Sequence, residues 1–95
     1  MKESSIERQL TTWAEEHGIY TRKFVSQGHV GVPDRLFIGP KGVLFLELKA
    51  ANGKPTALQL REIDLINNQQ NPHVTAAWAS SLELGKSLVR EYCCL

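Results

Sequence analysis

The sequence predicts a layered α/β domain with element order α-β-β-β-α-β-α, and three observations carry that reading. Two apolar stretches flank a Gly-Pro-Lys-Gly turn and are apolar on both faces: Leu36, Ile38, Val43 and Phe45 alternate with Phe37, Leu44, Leu46 and Leu48. A hairpin hidden on both sides has to be covered by helices. Three segments with helical spacing of apolar residues supply that cover, and two further short stretches are rich in β-branched and aromatic residues. The chain has 95 residues. That length allows one core, with roughly 65% of the unfolded surface buried, so residues 1–95 read as a single domain.

The elements follow in order. Ser4 with Glu7 three residues later has the form of a capping box, and Ile6, Leu10, Trp13 and Ala14 continue at helical spacing. Gly18 sits where a C-terminal stop belongs. "IYTRKFV", Ile19 to Val25, reads as a strand and "SQGHVG" as a loop. The hairpin strands run about Asp34–Ile38 and Val43–Leu48. "NGKP" breaks the chain, and Thr56 with Gln59 opens a second helix carrying Leu60, Ile63 and Ile66 on one side. "HVTAAWA" is a fourth strand. Ser80 with Glu83 caps a last helix, with Leu84, Leu88 and Tyr92 on one face.

Composition narrows the function. At 42% hydrophobic and 22% charged residues the chain is ordinary for a globular protein. No apolar run approaches the roughly 20 residues of a membrane span. The start, "MKESSIERQL", lacks a signal-peptide core, which points to the cytoplasm. Cys93 and Cys94 are adjacent and cannot staple a fold. His17, His29 and His73 are scattered, so neither a zinc site nor cysteine-based cofactor chemistry is indicated. The formal net charge of +1 conceals an asymmetry. Between Arg22 and Arg61 seven basic residues stand against two acids, while the flanks carry four basic and eight acidic residues. A basic middle suits a polyanionic partner, although lysines sit on most solvated surfaces.

The two acids of that basic middle are the unusual feature. If the hairpin pairs symmetrically about Pro40–Lys41, Ile38 faces Val43, Leu36 faces Phe45, and Asp34 faces Glu47. Opposed side chains of an antiparallel pair share a face, with Cβ atoms about 4.5–5.5 Å apart. Lys49, two residues beyond Glu47, shares it too. Two carboxylates at that separation repel unless one is protonated or a cation lies between them. Mg²⁺ typically takes one or two carboxylates, waters and substrate phosphate, and the Leu48 carbonyl between Glu47 and Lys49 is a further oxygen donor. A cation so held activates water and polarises a phosphoryl oxygen, with the Lys49 ammonium beside it. These parts suit metal-assisted phosphodiester hydrolysis. The plain alternative is a set of ion pairs between Asp34 or Glu47 and Arg35, Lys49 or Lys54 at a frayed hairpin end.

"GVPD", "ELK" and a helix-borne Gln59 about ten residues later resemble the virus-type replication-repair nuclease (VRR-NUC) family of the PD-(D/E)xK nuclease superfamily. The likeness runs from Glu7 to the strand ending near Trp78. It implies a restriction-endonuclease-like core, a mixed sheet flanked by helices. It also implies Asp34, Glu47 and the Leu48 carbonyl as ligands of Mg²⁺ or Mn²⁺, with Lys49 as the catalytic lysine. Glu7 would reach toward the metal, directly or through water, and Gln59 would orient the lysine or a water. Both also occupy the third position of a capping box, but Gln59 shares the core-facing side of its helix with Ile63 and Ile66. Arg35 departs from the pattern, which expects an apolar residue there.

The expectation is therefore a metal-dependent DNA endonuclease without an organic cofactor. Small standalone members of the family resemble phage enzymes that cut branched DNA, such as four-way junctions, as homodimers, here in the cytoplasm of a bacterial host. Lys23, Arg35, Lys41, Lys54 and Arg61 are the candidate phosphate contacts, and the "SQGHVG" loop or the last helix (Leu88, Tyr92) the candidate dimer contacts. A non-catalytic nucleic-acid-binding or assembly module, or a ribonuclease on the same fold, are the competing readings.

Overall fold

The computed structural model describes residues 1–95. Seven elements follow in the expected order: α1 (Glu3–Glu16), β1 (Tyr20–Lys23), β2 (Arg35–Ile38), β3 (Val43–Leu48), α2 (Ala57–Asn67), β4 (Val74–Ala79) and α3 (Leu82–Cys93). The four strands form one mixed sheet in the order β1-β2-β3-β4. β1–β2 and β2–β3 are antiparallel, whereas β3–β4 is parallel, with α2 as the crossover. The hairpin register is the symmetric one, with Leu36 opposite Phe45 and Ile38 opposite Val43.

One face of the sheet is sealed. Leu44, Leu46, Leu48 and Phe37 project into a core built with Ile6, Leu10 and Ala14 of α1 and Val89 and Cys93 of α3. Leu88 and Tyr92 pack against this core and are half-buried. Burial pushes the Cys93 thiol up to about 11, and both cysteines are free thiols. No helix is long and apolar enough to cross a membrane.

The other face departs from expectation. The hairpin is not covered by helices on both sides, because α2 packs along β4 and leaves β1 and β2 open. On that face Tyr20 and Ile38 are exposed, and Leu36, Val43 and Phe45 are only half-buried. The outer edge of β4 is closed by α2 itself: the Asn67 amide accepts from the Ala76 N–H at 2.7 Å and donates to the Ala76 carbonyl at 2.9 Å. A side chain thus takes the place of a fifth strand.

Several boundaries shift. β1 is four residues long, not seven, because only Tyr20–Lys23 pair with β2. Ser81, not Ser80, caps α3, its hydroxyl accepting from the Leu84 N–H. The capping box at Ser4 does not form: α1 begins two residues sooner than it requires, with Lys2 as N-cap and no side-chain cap. The Met1 carbonyl accepts from the Ala51 N–H, which pins the start of the helix to the chain just beyond β3. At the other end Gly18, with φ of 75°, supplies the left-handed residue that stops the helix.

Candidate active site

Asp34 stands one residue before β2 and Glu47 near the end of β3, on the half-open face. The strand pairing brings them together: the Asp34 Oδ2 accepts from the Leu48 N–H at 3.0 Å, next to Glu47. The N–H and C=O of one strand residue leave on the same edge, so the Leu48 carbonyl points along this side as well. Pro33 before Asp34 is buried and fixes the chain entering the strand.

Glu47 is the centre of the cluster. It is 2% exposed, the one buried carboxylate of the chain. Its Oε2 is held twice, by the Gln59 Nε2 at 3.0 Å and the Lys49 Nζ at 3.3 Å. Its Oε1 is buried with no partner. Burial first, and the Asp34 charge second, push the Glu47 carboxyl up to about 7, against the opposing pull of Lys49. A buried, unpaired acceptor costs free energy, and negative charge crowds there. A proton on the Glu47 carboxyl or a bound cation relieves both.

Gln59 answers an ambiguity left by the sequence, since it does both jobs at once. Its Oε1 accepts from the Thr56 N–H at 2.8 Å, completing the capping box of α2, while its Nε2 donates to Glu47. The cap therefore fixes the rotamer that reaches the acid. The side-chain partner it reaches is Glu47, which Lys49 also contacts.

The first helix contributes a different acid from the one expected. Oxygens of Glu3, Asp34 and Glu47 all lie within 4.8 Å of one another. Glu7, one helical turn further on, instead gives its Oε2 to the Arg35 Nε at 2.9 Å and to the Lys23 Nζ at 3.6 Å. This pairing also accounts for Arg35: the departure from the family pattern is matched by Glu7. Glu3 and Glu7 share a helix face, so periodicity alone does not choose between them. A donor set of three carboxylates with an orphaned oxygen fits a hard divalent cation.

The basic candidates separate. Lys54 and Arg61 are exposed, and Lys23 keeps 70% of its side chain exposed beside Glu7. Arg35 is largely sequestered by Glu7, with 18% of its side chain exposed. Lys41 lies in the hairpin turn, at the opposite end from the acids and about 20 Å from Glu47 by strand rise.

The sheet order and the cluster at the open end of the hairpin define a PD-(D/E)xK-type α/β domain. A solved structure described as "VRR_NUC domain" matches 97% of this chain and 98% of its own, with a TM-score of 0.81 at 29% identity. Another, "VRR_NUC domain protein", has a TM-score of 0.79 over 97% of this chain and 88% of its own at 16% identity, a likeness of fold. Among curated proteins, "Putative nuclease p44" of Acyrthosiphon pisum secondary endosymbiont phage 1 is 48% identical over 63 residues, covering 65% of this chain and 68% of that protein. A scan against models of known families gives no match. The chain belongs to the VRR-NUC family as a phage-type member.

Proposed function

We propose that residues 1–95 form one nuclease domain that hydrolyses phosphodiester bonds in branched DNA, depends on Mg²⁺ or Mn²⁺, and works as a homodimer. The observation that carries this reading is the buried Glu47 carboxylate, whose Oε1 has no partner and which lies within 4.8 Å of oxygens of Asp34 and Glu3. A phage relative named a nuclease supports the same reaction class.

In this reading Asp34, Glu47 and Glu3 hold the cation, with the Leu48 carbonyl as a neutral ligand. A divalent cation so bound lowers the pKa of water and withdraws charge from a phosphoryl oxygen. Gln59 and Lys49 both hold Oε2 of Glu47, which would leave Oε1 free for a cation. Lys49 is half-buried and directly beside the cluster, placed to hold the attacking water and to offset negative charge gathering on the phosphorane. Lys23, Lys54 and Arg61 are exposed and take the flanking phosphates. Arg35 positions Glu7 and Lys23 instead, and Lys41 lies too far from the cluster to serve the same phosphate.

The homodimer follows from size. One small chain with one acid cluster cannot span two duplex arms, and a two-fold pair matches a two-fold target. The test is a panel of labelled four-way junction, flap, duplex, single-stranded DNA and RNA, with Mn²⁺ or with chelator. Mn²⁺-dependent cutting of the branched substrates is expected. Cleavage in chelator, or of RNA alone, refutes the reading. Light scattering with junction DNA reads the dimer, and a 10.6 kDa monomer in every condition removes that part.

A further inference from the structure

The acids share their sheet face with an apolar surface that no helix covers. Pairing places Tyr20, Arg22, Leu36, Ile38, Val43 and Phe45 on that face, which leads directly to Glu47. Phe24 adjoins it, its N–H bonded to the Asp34 carbonyl at 2.9 Å. The Phe24 and Phe45 rings meet edge to face, centroids 5.1 Å apart, and both are half-buried. Two aromatic rings therefore stand next to the phosphate-cutting cluster and remain in contact with solvent.

The loop after Phe24 adds exposed apolar residues. Val25 is 82% and Val30 76% exposed, the most exposed apolar side chains away from the chain ends. The loop is held in shape. His29 N–H bonds the Ser26 carbonyl at 3.2 Å, and the Ser26 hydroxyl meets the His29 Nδ1 at 3.2 Å. Gly31, with φ of 90°, lies so close to α2 that a Cβ there would stand 3.0 Å from the Leu58 carbonyl and 3.2 Å from the Gln59 nitrogen. The loop thus lies directly against the helix turn whose Gln59 holds Glu47. From Tyr20 to Pro33 there is no acid, while Arg22 and Lys23 are basic.

We propose that the Phe24–Phe45 pair, with the exposed Val25 and Val30 of the adjoining loop, receives a base unstacked from the DNA strand beside the phosphate at the acid cluster. Aromatic rings next to cations form the usual platform for an unpaired base, and apolar wedges open base steps. A second copy of the chain is the competing occupant of this face. A protein seated over Phe45 would close off Glu47, whereas a nucleotide on Phe45 brings its own phosphate to the acids. Selectivity for branched DNA then has a cause: a branch point presents a base already loosened, and continuous duplex does not.

The proposal rests on the nuclease reading, and the test separates the two. Four-way junctions carrying 2-aminopurine at the branch, and matched continuous duplexes, are titrated with the full chain in Ca²⁺, and cleavage is followed in parallel in Mn²⁺. The wild type is expected to raise branch fluorescence several-fold. The Val25→Ser/Val30→Ser double variant loses most of that rise and binds the junction about tenfold more weakly, with unchanged thermal midpoint and calorimetric Mn²⁺ binding. Phe45→Leu shifts both readouts the same way. A chain that unstacks the branch base but cuts nothing keeps the slot and removes the nuclease reading. A rise in the double variant equal to wild type overturns the proposal, as does a junction bound by wild type with no rise. Conversion of a dimer to a monomer by the serine substitutions overturns it too, in favour of the second copy.

Discussion

The two faces of the sheet differ at every second residue of β3. Leu44, Leu46 and Leu48 point into a sealed core between α1 and α3, while Val43, Phe45 and Glu47 point to a face that one helix covers only at its margin. The first set is chosen for packing. On the second, a carboxylate is buried at an energetic cost that packing does not repay, with one oxygen left bare. The sealed side packs the hairpin tightly, and the open side holds like charges together.

Neighbouring substitutions sharpen the contrast most. Leu46→Ala removes a fully buried side chain and is expected to cost about 2–5 kcal/mol of stability in denaturant unfolding. Glu47→Gln, next to it, is expected to leave the fold as stable or more so at pH 8 and to lower cleavage at least about a thousandfold. A Glu47→Gln protein that unfolds like Leu46→Ala would erase the distinction between the faces.

Next in size is the pH response of the metal-free protein. Folding raises the Glu47 carboxyl from 4.5 to about 7, so the folded state binds the extra proton. Stability from this group is therefore full below about pH 4.5 and is lost as pH rises through 7. By linkage the change is about 3 kcal/mol, taken as an upper figure. Glu47→Gln should flatten that slope in urea titrations between pH 5 and 8. Mn²⁺ binding at pH 6 should release about one proton that is absent at pH 8, read by calorimetry in buffers of different ionisation heat.

Lys49→Ala comes third. Turnover should fall about a hundredfold or more while junction affinity changes less than about threefold, seen in single-turnover kinetics beside binding. The smallest effects belong to the outlying cations. Lys54→Ala should lower the salt slope of binding by about one phosphate contact, and Lys41→Ala, at the far end of the hairpin, should not.

Legibility in the sequence follows the same division. The hairpin register, the Thr56–Gln59 cap and the convergence of Asp34, Glu47 and Lys49 were readable because each depends on neighbours in sequence or on one turn. Which first-helix acid meets them was not, since Glu3 and Glu7 lie on one face and only the tertiary packing sets Glu3 beside Asp34 and Glu47 and Glu7 beside Arg35. An acid one turn before Glu7 was the available signal. The open face was also hidden: alternation shows that both sides of a hairpin are apolar, but not that a single crossover helix lies along β4 and leaves β1 and β2 uncovered.

Mn²⁺ titration calorimetry of the DNA-free protein at pH 8 decides whether the cluster around Glu47 is a divalent cation site. Wild type should bind saturably, and Asp34→Asn and Glu47→Gln should each weaken binding at least about tenfold while remaining folded by circular dichroism. Equal Mn²⁺ affinity in wild type and both variants would contradict the account.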